Sequence, residues 1–127
     1  MENREIFLNP QLDGSTFLWK AGDVAVLCLH GFTATTVEVR KMAAFLTSSG
    51  YTTYGPLLPG HGTNIDDMIK STWKDWVKTV EDSYSMLKKD HKQVFVLGES
   101  MGALLALYLC QQHPDIPGAL LFAPALK

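Results

Sequence analysis

The chain has 127 residues, 11 Lys+Arg against 13 Asp+Glu and a formal net charge of −2, which bounds it to one domain at most. Hydrophobic residues at 46% can bury a core, and 19% charged with 10% aromatic residues argue against a disordered or solvating segment. The near-neutral balance, with no Lys/Arg run, excludes nucleic acid and an anionic membrane surface as expected partners.

The N-terminal residues Met1 to Phe7 carry two acids and no apolar core, and no later stretch approaches the roughly 18 apolar residues of a span, so neither signal peptide nor membrane anchor is expected. A cytoplasmic protein is the resulting expectation. Cys28 and Cys110 sit in apolar runs without CxxC spacing and read as buried free thiols. Ile6-Phe7-Leu8 and Phe17-Leu18-Trp19 flank Asp13-Gly14, which predicts an N-terminal hairpin within residues 1–23. Val24 to Leu29 is a near-continuous apolar run closed by His30-Gly31, as expected of a strand buried on both faces.

Thr35 and Glu38 fit a Thr-x-x-Glu capping box, with Val39, Met42, Ala43 and Leu46 at helical spacing up to Gly50; a helix is predicted there. Tyr51 to Tyr54 predicts a second strand cut by Gly55-Pro56, and Pro59-Gly60-His61-Gly62 a tight loop. Trp73, Trp76, Val77, Val80, Tyr84 and Leu87 share one helical face, predicting an amphipathic helix whose aromatic residues face the core rather than a substrate. Gln93 to Leu97 then reads as a buried strand, Ala103 to Gln112 as an apolar helix closed by His113-Pro114, and Ala119 to Ala123 as a strand buried on both faces. Strand and helix alternating three times over residues 24–127 predict an α/β fold, a mostly parallel sheet with helices on both faces.

Gly98-Glu99-Ser100-Met101-Gly102 is G-x-S-x-G between a predicted strand and a predicted helix, the context that a nucleophile elbow requires. A turn tight enough to hold Ser100 in a strained backbone conformation leaves no room for side chains two residues either side, hence Gly98 and Gly102. The following helix aims its free amides at the reaction centre, with Met101 N–H as one oxyanion donor. His30-Gly31-Phe32 follows the first central strand, where the second donor, the Phe32 N–H, is expected. Gly31 allows close backbone approach, and the Phe32 side chain is free to line an acyl pocket. His30 precedes the nucleophile and reads as a structural histidine that hydrogen-bonds this loop.

Val26 to Thr33, Pro56 to Gly62 and Gly98 to Gly102, in this order and spacing, resemble the α/β-hydrolase superfamily, specifically bacterial carboxylesterases and monoacylglycerol lipases. The resemblance runs from about Val24 to Ala125. It implies a serine esterase that acts through an acyl-enzyme on a small-molecule ester or monoacylglycerol. It also implies that His61, in the Pro-Gly-His-Gly loop, shapes the rim of the site rather than reacting. No metal and no organic cofactor are expected, because a base and oxyanion donors suffice for this reaction.

On this fold the triad runs Ser, then Asp or Glu, then His, and the candidates after Ser100 are His113 and Asp115. Both lie about 13 residues along the helix, roughly 20 Å at 1.5 Å per residue, and so at the wrong end of the sheet. His91 precedes the nucleophile strand and belongs to that same remote end. The expectation is therefore the N-terminal part of one hydrolase domain, truncated after the strand that follows the nucleophile helix. A complementing C-terminal polypeptide would supply the acid and the histidine. The alternative is a non-catalytic hydrolase-like chain that binds an acyl ligand or a partner subunit.

Overall fold

The computed structural model describes residues 13–126. Nine elements follow one another: β1 (Phe17–Trp19), β2 (Val24–Leu29), α1 (Val37–Ser48), β3 (Thr52–Gly55), α2 (Ile65–Lys70), α3 (Trp73–Asp90), β4 (Gln93–Glu99), α4 (Met101–Gln112) and β5 (Ala119–Phe122). The strands form one sheet in the order β1-β3-β2-β4-β5. β2 pairs in parallel with β3 and β4, and β4 in parallel with β5, whereas β1 runs antiparallel to β3. The first arm of the expected hairpin lies outside the described residues, and the second, β1, is paired to β3.

The alternation of β2 explains how the two layers are filled. Ala25, Leu27 and Leu29 point to one face with Val94 and Val96 of β4, where Val80, Tyr84 and Leu87 of α3 and Leu105, Ala106 and Leu109 of α4 cover them. Val26, Cys28 and Leu97 point to the other, where Val39 and Ala43 of α1 and Phe17 of β1 complete a second cluster. A strand with both faces covered needs apolar residues at every position. The continuous run Val24–Leu29 meets that need.

Four expectations are corrected. Thr36, not Thr35, is the N-cap of α1, and no side-chain cap bond forms there, because the Thr36 hydroxyl donates to Ser15 O and the Glu38 carboxylate accepts from Gly31 N. Trp73 is 61% exposed, at the first position of α3, where burial begins only at Trp76; the capping box of the helix is built by Thr72 and Asp75. β5 alternates between partly buried and exposed residues, with Leu120 and Phe122 at 46% and 39%, because Ala119 and Leu121 pack against the larger cluster beside α4 while the opposite face has little cover among the described residues. Cys28 is buried, but Cys110 is only partly so, packed at the margin of the larger cluster. The short helix α2 buries none of its residues.

Leu27 is fully buried at the centre of the larger cluster. Its replacement by alanine should cost about 2–5 kcal/mol, read as a lower urea midpoint at unchanged slope.

Candidate active site

Ser100 stands between β4 and α4 with φ 56° and ψ −117°, a backbone conformation that costs an L-residue about 1–3 kcal/mol. Its surroundings hold it there. A Cβ on Gly98 would run into the backbone of Gly102 and Ala103, and a Cβ on Gly102 into the carbonyls of Leu29 and His30. Gly98 is kept free of a side chain by the turn itself, whereas Gly102 is kept free by the end of β2, a neighbour far away in sequence that the motif does not name. The Ser100 amide donates to Phe122 O at 2.9 Å, and the Ser100 carbonyl accepts from Ala103 N at 3.0 Å. The first-turn amides of α4, beginning with Met101, open on the same junction.

The loop after β2 is pressed against that turn. A Cβ on Gly31 would lie 3.3 Å from Ser100 Cβ, 3.4 Å from Glu99 O and 3.1 Å from Glu38 Oε1. The structure therefore brings together Gly31, Gly98, Ser100, Met101 and Gly102, with Phe32 next in the loop. The peptide joining Gly31 to Phe32 is fixed through its carbonyl, which accepts from Ala34 N at 3.2 Å and lies 2.8 Å from His30 Nδ1. His30 Nε2 accepts from Leu58 N at 3.0 Å. A backbone amide can only donate, so Nε2 carries no proton, Nδ1 does, and the Nδ1–H donates to Gly31 O. Burial lowers the His30 pKa from 6.5 to about 4, against the opposing effect of its bond to Gly31 and with a smaller push from His61. His30 is a neutral imidazole locked in one tautomer, with both nitrogens committed to backbone.

An aromatic group that sequence reasoning missed surrounds this loop. Phe32, itself 52% exposed, meets the His61 ring edge-on at 6.0 Å and the Trp76 ring at 5.7 Å. Trp76 Nε1 donates to Pro59 O at 2.9 Å, tying α3 to the Pro59-Gly60-His61-Gly62 loop. Gly60 and Gly62 turn that loop at φ 79° and 72°. Beside it, a depression of about 460 Å³ is lined by Thr33, Gly60, Asn64, Ile65 and Met68, among others. Trp76 read as a core residue because its spacing matched the buried face of α3, and nothing in the sequence separated it from Val80 and Tyr84.

None of the four histidine rings is hydrogen-bonded to the Ser100 hydroxyl. His61 Nδ1 lies 3.1 Å from Pro59 O, and its buried Nε2 has no partner among the described residues. His91 Nδ1 is 2.8 Å from Leu87 O, and His113 Nε2 is 2.7 Å from Glu81 Oε2. Asp115 accepts from the Tyr84 hydroxyl at 3.0 Å. His113 and Asp115 are thus bound into one polar cluster beyond the C-terminal end of α4, remote from Ser100. Among the described residues no group of three or more His, Cys, Asp and Glu is arranged to hold a metal ion. No helix among them is long and apolar enough to cross a membrane.

A mostly parallel sheet covered on both faces, with a glycine-flanked serine at the β4–α4 junction, defines an α/β-hydrolase fold. The family Hydrolase_4, described as serine aminopeptidase, S33, matches residues 21–127, and the chain belongs to it. A thermostable monoacylglycerol lipase of Bacillus sp. (strain H-257) is 46% identical over 110 residues, which are 86% of this chain and 44% of that protein. A carboxylesterase of Bacillus subtilis (strain 168) is 38% identical over 94 residues, 73% of this chain and 38% of that one. Among solved structures, one from a study of the metagenome-derived lipolytic enzymes LipS and LipT superposes with a TM-score of 0.87 at 30% identity, covering 91% of this chain and 48% of the other. The chain spans less than half the length of these relatives.

The depressed His30 pKa sets a sign for pH dependence. The folded value of about 4 lies below the ordinary 6.5, so the unfolded chain binds the proton first. The stability contributed by neutral His30 is complete above about pH 6.5, declines as pH falls and is gone below about pH 4; it amounts to on the order of 3 kcal/mol. In a ring-resonance titration by NMR, His30 should remain neutral through pH 5, and a His30 midpoint near 6.5 would contradict the assigned tautomer.

Proposed function

We propose that the protein is a serine carboxylic-ester hydrolase, of the carboxylesterase or monoacylglycerol lipase kind, that works through an acyl-enzyme on Ser100. The observation that carries this reading is the positive φ of Ser100 at the head of α4 with the Gly31–Phe32 peptide held against it. Strain of this kind persists only where the surroundings enforce it, which supports a role for the Ser100 hydroxyl, with the amides of Phe32 and Met101 as the donors of this reading. The relatives at 46% and 38% identity, a lipase and a carboxylesterase, favour esters over amides as the substrate class.

In this mechanism the Ser100 hydroxyl adds to the ester carbonyl carbon while a histidine takes its proton. The carbonyl oxygen becomes an oxyanion that accepts from the amides of Phe32 and Met101. Collapse expels the alcohol, which leaves with that proton, and water then attacks the acyl-Ser100 ester to release the acid. The histidine and the acid that orients it are assigned to a further C-terminal polypeptide segment, because His30, His61, His91 and His113 are placed as described above. Phe32, with His61 and Trp76 behind it, forms an apolar wall suited to the acyl group.

Two experiments on the protein completed by that segment test this reading. A fluorophosphonate should add one covalent adduct by intact mass, and Ser100→Ala should abolish both the adduct and nearly all ester turnover while leaving folding intact. A folded wild-type protein that binds acyl ligands but forms no adduct would instead be a non-catalytic relative.

The second test separates the amide of Phe32 from its ring. Phe32→Leu keeps the donor and should alter acyl preference more than the rate on the best substrate. Phe32→Pro removes the donor and should lower kcat by about 10²–10³. Equal losses in the two folded variants would contradict the assignment.

A further inference from the structure

The Gly31 amide donates to Glu38 Oε1 at 2.7 Å, a short bond to a charged acceptor reaching back from the first turn of α1. Gly31 lies between two peptide planes. The Gly31–Phe32 plane is fixed through its carbonyl by His30 and Ala34, and the His30–Gly31 plane ends in the amide that Glu38 holds. A Cβ at this position would sit tightly against Glu38 Oε1 and Ser100 Cβ, and glycine is the residue with the most backbone freedom to lose. Fixing the planes on both sides removes that freedom.

We propose that Glu38 is a positioning residue for the oxyanion donor: its carboxylate pins the Gly31 amide and so sets the direction in which the Phe32 N–H points at the reacting carbonyl. The inference rests on the esterase reading above and names a part of the site that no motif contains. Glu38 touches neither Ser100 Oγ nor the substrate in this role. A second carboxylate stands close by, that of Glu99, whose pKa is raised by burial and by the charge of Glu38. Placing two acids together is unfavourable, and the charge-assisted bond to Gly31 offsets that cost. Without Glu38, the buried Gly31 amide loses its acceptor and its plane is no longer held.

The test uses the complete enzyme with Glu38→Ala and Glu38→Gln. Glu38 is an exposed side chain whose bond is to the buried Gly31 amide, so Glu38→Gln should keep the thermal midpoint near that of the wild type and Glu38→Ala should stay folded with a modestly lower one. Glutamine retains an oxygen acceptor at nearly the same reach. Glu38→Ala should lower kcat for a short-chain aryl ester about 10- to 100-fold with KM changed less than about threefold, a partial loss of one oxyanion donor. It should weaken an alkyl boronic acid, which mimics the tetrahedral intermediate on Ser100, by a similar factor. Glu38→Gln should restore both to within about threefold. Unchanged kcat and boronate affinity in a folded Glu38→Ala protein would overturn the proposal, as would equal losses in the two variants. If the wild type hydrolyses no ester, the functional reading itself fails and this proposal with it, an outcome separate from an active wild type indifferent to Glu38.

Discussion

At the end of β2 and the start of α4, two stretches of main chain meet with no side chain between them. Gly102 rests against the Leu29 and His30 carbonyls, and Gly98 against Gly102 itself. The rest of the site follows from this approach. It draws the loop after β2 against the β4–α4 turn, forces Ser100 to positive φ, and leaves a helix N-terminus and a loop amide on the same side of the sheet. One methyl group at either glycine would separate the layers and disperse the cluster, whatever the other residues were.

His30 shows how a histidine at such a place can be excluded from proton transfer. Its ring is buried, one nitrogen donates to a carbonyl and the other accepts from an amide. Protonation would turn the acceptor at Nε2 into a donor facing a donor, so the charged form is opposed by hydrogen bonding as well as by burial. The imidazole serves as a rigid strut between Gly31 and Leu58, linking the loop after β2 to the chain leaving β3.

Much of the architecture was legible in the sequence, because continuous apolar runs and helical periodicity report which residues need covering. They say less about how far the cover extends. The apolar run of β5 implied burial on both faces, whereas Leu120 and Phe122 stay exposed beside a single neighbour strand. Periodicity placed Trp73 on the apolar side of α3, but did not show that burial begins only at Trp76. α2 left no signal, since a six-residue helix with Ile65 and Ile69 facing outward has no apolar face to bury. The need for Gly98 was readable because its exclusion acts within the turn, whereas the need for Gly102 comes from Leu29 and His30, far away in sequence. Glu38 was readable only as a capping residue, since its bond to Gly31 spans seven positions and depends on how α1 docks. Trp76 needed the loop of Pro59 and the loop of Phe32 to be folded before its place beside them could be seen.

The bond from the Ser100 amide to Phe122 O, with a longer one from Ala125 N back to Ser100 O at 3.4 Å, makes the last strand a mechanical support for the turn. β5 contributes only four residues to the sheet, and its final residue is the one that holds Ser100. Loss of the pairing at Phe122 would release the Ser100 amide, so the geometry of the strained turn depends on how firmly β5 is held in the sheet. Whatever pairs with or braces β5 stiffens the site from behind, without touching it.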